Sequence, residues 1–207
     1  MKRHYPEEPD PRYHFLKEFQ SNRLRDTYDD FTRQPHCKAA AFFFFNRLYS
    51  TEDTSDRDQS FRKIHQKIET FLGGEVAQSM GKLIELQEIT IVMDHRILEL
   101  LVHEPFPFTM ETYEEAYRLS DNYTMRVRQI ELLDITIRLV HRISHRFGIG
   151  FVLKALHGAC VIMGDTRMVD FLMDGYKAFA DLRDIEPLAQ AVEDRERSRL
   201  DRIYGLI

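Results

Sequence analysis

Among the 207 residues, the groups whose type and spacing could do chemistry are few: a histidine pair, His141 and His145, a carboxylate group at Asp26, Asp29 and Asp30, and two cysteines. An i, i+4 histidine pair projects both imidazoles from one helix face, as a helical metal site requires. Here the pair shares its arc with Arg138 and Arg142, so solvent is its expected environment. The three aspartates suit a magnesium-diphosphate site by type, but only one helix carries them, and a solvated helix end explains them. Cys37 and Cys160 lie far apart without a C-x-x-C or other ligand spacing, which disfavours zinc and a disulfide framework. The long helical stretches contain no Glu-x-x-His pair of the di-iron type. There is also no phosphate loop, dinucleotide fingerprint, nucleophile elbow or H-E-x-x-H motif. No metal, no cofactor and no catalytic residue is expected.

The stronger signal is polar residues on apolar helix faces. At about 100° per residue, the stretch from Glu75 to His103 gathers Glu85, Glu88, Arg96, Glu99 and His103 on one side. Leu83 and Leu101 lie opposite, with Gln87, Thr90 and Asp94 between them. In the stretch ending at Phe147, Glu131, Asp134, Arg138, Arg142 and His145 form the charged arc. Ile130, Leu132, Leu133, Ile137, Leu139 and Val140 form the apolar one, with Gln129 near its centre and Arg126 inside its border. Near the start, Tyr13, Leu16, Leu24, Thr27 and Phe31 make a stripe with Gln20 in the middle. Burying each unpartnered group costs on the order of 1–3 kcal/mol, so these side chains should meet one another. The expected arrangement pairs Asp94 with Arg126, while Gln20, Gln87, Thr90 and Gln129 satisfy the remaining donors and acceptors. Such a set either fixes helix register or floors a ligand pocket.

The elements that must position these groups follow from punctuation. Glycine and proline sit at joints, and the intervals between them repeat apolar residues at three and four. The first helix starts with Asp10 as N-cap and Pro11 at its first position and runs to about Arg33. A second covers the phenylalanine run, a third spans about Asp56 to Leu72, and a fourth runs from about Glu75 to His103. A fifth begins near Met110 and continues, bent around Ser120-Asp121-Asn122, to Phe147; three shorter helices cover about 151–162, 165–182 and 185–204. The expected fold class is all-α: a single-domain bundle of about eight helices from residue 10 to 207, behind a short N-terminal tail, residues 1–9.

Ala41-Phe-Phe-Phe-Phe-Asn-Arg-Leu-Tyr49 is apolar on nearly every side if helical, which places it in the middle of the bundle. Phe43-Phe44-Phe45-Asn46-Arg47-Leu48-Tyr49, with Asp53 and the pair Arg57-Asp58, resembles the signature of the FFLEELY-motif family, a group of uncharacterised bacterial helical proteins. The similarity continues through Arg126-Val-Arg-Gln-Ile130, Phe171 to Phe179 and Arg195-Glu196, so it spans most of the chain. Asn46 and Arg47 stand where the family signature has two acids, so those acids are not required ligands here. The resemblance implies a helical fold and no assigned chemistry.

A formal charge of −5 with interleaved signs offers no footprint for nucleic acid. No apolar run approaches the ~18 residues of a membrane span, and the first residues lack a signal-peptide core, so a cytoplasmic location is expected. Two functions from different classes remain. One is a non-catalytic interaction protein, an adaptor or regulator, meeting a protein partner or a second copy through a recognition loop of Tyr49, Asp53, Arg57 and Asp58 or through its last helices. The other is a small-molecule binder, or an enzyme, with a pocket lined by Gln20, Gln87, Asp94, Arg126 and Gln129.

Overall fold

Several of the described helices stop where a carbonyl is taken by a side chain or where the backbone turns left-handed. A computed structural model of the protein describes residues 11–48, 74–164 and 166–207. Within them lie α1 (Pro11–Thr27), α2 (Asp29–Thr32), and α3 (Lys38–Phe42), which continues as a π-helical turn, Phe43–Leu48. Then come α4 (Gly74–Leu100), α5 (Met110–Leu119), α6 (Tyr123–Ser144), α7 (Ile149–Met163), α8 (Arg167–Ala180) and α9 (Glu186–Ile203). No strand occurs among the described residues, so the fold is all-α as expected. The expected third helix and the loop of Tyr49, Asp53, Arg57 and Asp58 lie outside the described residues.

Two expected helices are divided, each for a visible reason. The first ends at Thr27 rather than Arg33, because Arg195 Nη1 donates to the Thr27 carbonyl at 2.7 Å. That carbonyl would otherwise accept from Phe31, whose N–H turns to Tyr28 O instead. The long fifth helix is not bent but broken, into α5 and α6. Ser120 Oγ donates to Tyr117 O at 2.6 Å, and Asp121 takes φ 48°, a left-handed value no α-helix can pass through. At the other end of α6, Gly148 at φ 80° turns the chain into α7.

α6 is the pivot: it packs against α9, α4, α8 and α7, while α1 meets α4 and the π-helical turn. Two apolar clusters form around these contacts. The larger joins Leu24, Tyr28 and Phe31 to Phe43, Phe44, Phe45, Leu132, Ile137, Phe179 and Val192. The smaller joins Leu16, Ile97, Leu101, Phe108, Tyr113 and Ala116.

The phenylalanine run is helical and its last three rings are buried. Phe42, expected inside with the others, is 57% exposed. In an α-helix three successive side chains spread through about 200° at 100° each, which turns one of them away from any single neighbour. The wider π turn rotates less per residue and keeps Phe43, Phe44 and Phe45 all inward. Phe45 stacks on Tyr28 at 4.4 Å, and Phe43 meets Phe171 at 5.1 Å and the edge of Phe179 at 6.1 Å. Gly175 of α8 makes this possible, since a Cβ there would lie 2.9 Å from the Phe43 ring.

Candidate functional site

Between the two apolar clusters every helix that crosses the middle contributes polar side chains. On α1, Leu16 belongs to the smaller cluster and Leu24 to the larger, and Lys17, Gln20, Ser21 and Arg23 lie between. On α4, Leu86 belongs to the larger and Ile97 to the smaller, with Thr90 and Asp94 between. α6 adds Arg126 and Gln129 ahead of Leu132, and α9 adds Arg195, Glu196 and Arg199 after Val192. The result is a polar layer sandwiched in apolar protein.

Asp94 is fully buried, and it does not pair with Arg126. Lys17 Nζ donates to its Oδ2 at 2.7 Å and Gln20 Nε2 to its Oδ1 at 2.9 Å, so α1 supplies both partners. Burial alone would lower the Lys17 pKa, but the Asp94 carboxylate and the Tyr13 side chain together outweigh it and hold the ammonium above its ordinary value. Lys17 lies one helical turn before Gln20, so both reach Asp94 from the same face of α1.

Arg126, 3% exposed, makes a second set. Its Nη1 donates to Gln129 Oε1 at 3.2 Å and its Nε to Asn122 Oδ1 at 3.3 Å, and the guanidinium lies 4.1 Å from the Tyr117 ring centre. Gln129 Nε2 in turn donates to Thr90 Oγ1 at 2.7 Å, which donates to Leu86 O at 2.7 Å. Gln87 is half-buried and joins neither set. The two sets touch through tyrosines: Gln20 Nε2 lies 3.5 Å from the Tyr113 hydroxyl, and the Tyr113 and Tyr117 rings are 5.9 Å apart. Burial pushes the Tyr117 phenol up to about 12, against the opposing pull of the Arg126 charge.

A third set was not foreseen beyond the naming of Arg195-Glu196. Arg23 Nη1 pairs with Glu196 Oε1, which also accepts from the Tyr28 hydroxyl at 3.0 Å. Burial and then Glu196 push the Tyr28 phenol well above its usual range. Beside it Arg195 holds Asp30 with two bonds, 2.8 and 2.7 Å, and lies over the rings of Tyr28 and Phe31. Farther along α9, Arg199 and Arg202 both pair with Glu114, at 2.9 and 3.2 Å. No nucleophile–base pair is formed in this layer, and among the described residues no three His, Cys, Asp or Glu side chains gather as metal ligands. His141 is bound to Leu182 O at 2.8 Å through Nε2, and His145 is exposed beside it.

A different region is exposed and apolar. α7 buries Ile149, Leu153, Leu156 and Cys160, spaced 4, 3 and 4 apart. The opposite stripe, Phe151, Ala155, Gly158 and Ile162, has the same spacing and faces solvent. With Phe147, which is fully exposed, it contains the three most exposed large apolar side chains among the described residues. Between Asp134 and Asp165 the sequence has no acidic residue, while Arg138, Arg142, Arg146 and Lys154 fall inside that interval. This acid-free stretch is the sequence signal that reading charge over the whole chain missed.

Comparison with known proteins places the chain in a family. The family model Domain of unknown function (DUF8198) matches residues 2–205, and the chain belongs to that family. No curated protein matches the chain, and no solved structure does. Among the described residues no helix is long and apolar enough to cross a membrane.

Proposed function

We propose that this protein is a non-catalytic helical interaction protein, an adaptor or regulator, whose docking surface is the outer stripe of α7. The observation that carries the reading is that α7 is apolar on both faces while only one is covered. Exposed apolar side chains concentrated on one helix mark an interaction site more often than chance scatter does. Gly158 adds to it. A mid-helix glycine costs about 1 kcal/mol relative to alanine, and a Cβ at this position would meet nothing within 4 Å. The missing side chain therefore serves no packing inside the bundle, but it would admit the backbone of a helix laid across the stripe.

The partner that fits is a protein helix with an apolar face and acidic flanks. Lys154 lies beside the stripe, and Arg142 and Arg146 precede Phe147, so acids would be attracted and a second basic helix repelled. The same reading takes the chain as a single cytoplasmic domain and as a bacterial member of the FFLEELY-motif group, in keeping with the signature residues.

Site-specific photocrosslinking in the producing cell tests this. A benzophenone side chain placed at Phe151 or Ile162 is expected to capture a second protein, and the same group at the exposed Val102 is not. Lys154→Glu should weaken capture. Equal capture at Val102, self-crosslinks only, or stable binding of the purified protein to anionic phospholipid vesicles through Phe151 would overturn the proposal.

A further inference from the structure

Across the polar layer, one cation has no carboxylate partner among the described residues. Lys17 has Asp94, Arg23 has Glu196, Arg195 has Asp30, and Arg199 shares Glu114 with Arg202. Among the described residues Arg126 has neutral oxygens from Gln129 and Asn122, and an aromatic face, but no carboxylate. Its Nη2 is buried without any acceptor. A guanidinium is a charged, donor-only group, so this is a buried charge with an open donor, an arrangement that is costly without a counter-charge.

The neighbouring backbone points the same way. Arg126 lies in the first turn of α6, whose N-cap residue is Asn122. An asparagine there normally turns its side-chain oxygen onto the free N–H groups of the first turn. Instead Asn122 Oδ1 accepts from Arg126 Nε, and no side chain of the N-cap residue caps the helix. The positive end of a 22-residue helix therefore coincides with an unneutralised guanidinium. Neither nearby acid supplies the charge: Asp201 accepts from the Tyr123 hydroxyl at 2.7 Å, and Asp121 is exposed at the α5–α6 break.

We infer that Arg126, with the N-terminus of α6 and the Tyr117 ring as its walls, binds a small oxyanion, the carboxylate or phosphate group of a ligand that enters at the α5–α6 break. One anionic oxygen accepts from Arg126 Nη2, and the others face the first-turn N–H groups. This inference does not depend on the α7 reading, and either can fail alone.

The test uses the purified chain and two probes, inorganic phosphate and succinate, each titrated at constant ionic strength against chloride. At millimolar concentration one probe is expected to raise the melting temperature by several degrees and to shift the guanidinium 1H–15N resonance of Arg126, which Arg126→Lys assigns. Response to phosphate alone identifies a phosphate group as the ligand chemistry, and response to succinate alone a carboxylate. In Arg126→Gln the thermal response should be lost. If that variant does not fold, the resonance shift in the intact protein decides. No response to either probe, or an undiminished response in Arg126→Gln, overturns the inference.

Discussion

Tyr28 and Lys17 sit three helical turns apart on the same side of the chain's first helical region, and they show how differently two layers of one bundle are held. Around Tyr28 the aromatic cluster is held by area and shape: Phe45 stacks on it, Phe43 lies against Phe171 and Phe179, and Gly175 yields the space. Around Lys17 the polar layer is held by matched partners, with both Asp94 oxygens taken from α1. Dispersion and apolar burial are non-directional, so the aromatic cluster tolerates exchanges that keep apolar volume and shape. Charged hydrogen bonds are directional and costly to leave unmade, so the polar layer accepts one helix register. The comparison teaches that apolar burial drives these helices together and that the polar layer decides how they slide.

The largest expected effects come from removing one member of each region. Asp94→Ala strands the Lys17 ammonium and should cost about 3–5 kcal/mol in urea unfolding; Phe45→Ala should cost a similar ~3–5 kcal/mol. Conservative changes then separate the two regions. Phe44→Leu should cost little more than ~1.5 kcal/mol because apolar volume is nearly kept, whereas Asp94→Asn, also nearly isosteric, should be worse because it removes the counter-charge of Lys17. A double-mutant cycle of Asp94→Ala with Lys17→Met should show coupling of about 1–3 kcal/mol, and a cycle with Arg126→Met should add within about 0.5 kcal/mol. Strong coupling to Arg126 instead would restore the pairing expected from the sequence and break the account of the layer.

A middling effect is expected at Gly175→Ala, where the new methyl meets the Phe43 ring; overpacking of this kind costs about 1–3 kcal/mol. High pH should act on the tyrosines. The Tyr117 phenol ionises near 10 in the unfolded chain and near 12 in the folded one, so between those values the native state holds the extra proton and stability falls as pH rises. Tyr28 and Lys17 are shifted upward too and act in the same sense. The urea midpoint should therefore drop above pH 10, and less steeply in Tyr117→Phe. The smallest change belongs outside both regions: Phe151→Ser on α7 should alter stability by no more than about 0.5 kcal/mol, while removing the proposed docking stripe. A larger loss would mean that α7's outer face is part of the core.

Much of this was legible in the residues themselves. Three- and four-residue periodicity gave all-α character and most helix ends to within a few residues, because Gly, Pro and helix formers act locally. The wheel positions of Gln20, Thr90, Asp94, Arg126 and Gln129 were enough to say that polar groups enter the middle of the bundle. The breaks at Thr27 and Asp121 were not legible, since the first depends on Arg195, 168 residues away, reaching a carbonyl. Neither was the exchange of partners that gives Asp94 to Lys17 and leaves Arg126 without an acid among the described residues.

What the sequence determined alone is the periodic arrangement of apolar and polar faces, since it is fixed by the pitch of a helix and needs no neighbour. Which polar group meets which, and which face of α7 stays bare, only tertiary structure decided. Those outcomes depend on how helices distant in the chain are rotated and shifted against one another, and helix pitch carries no record of that shift.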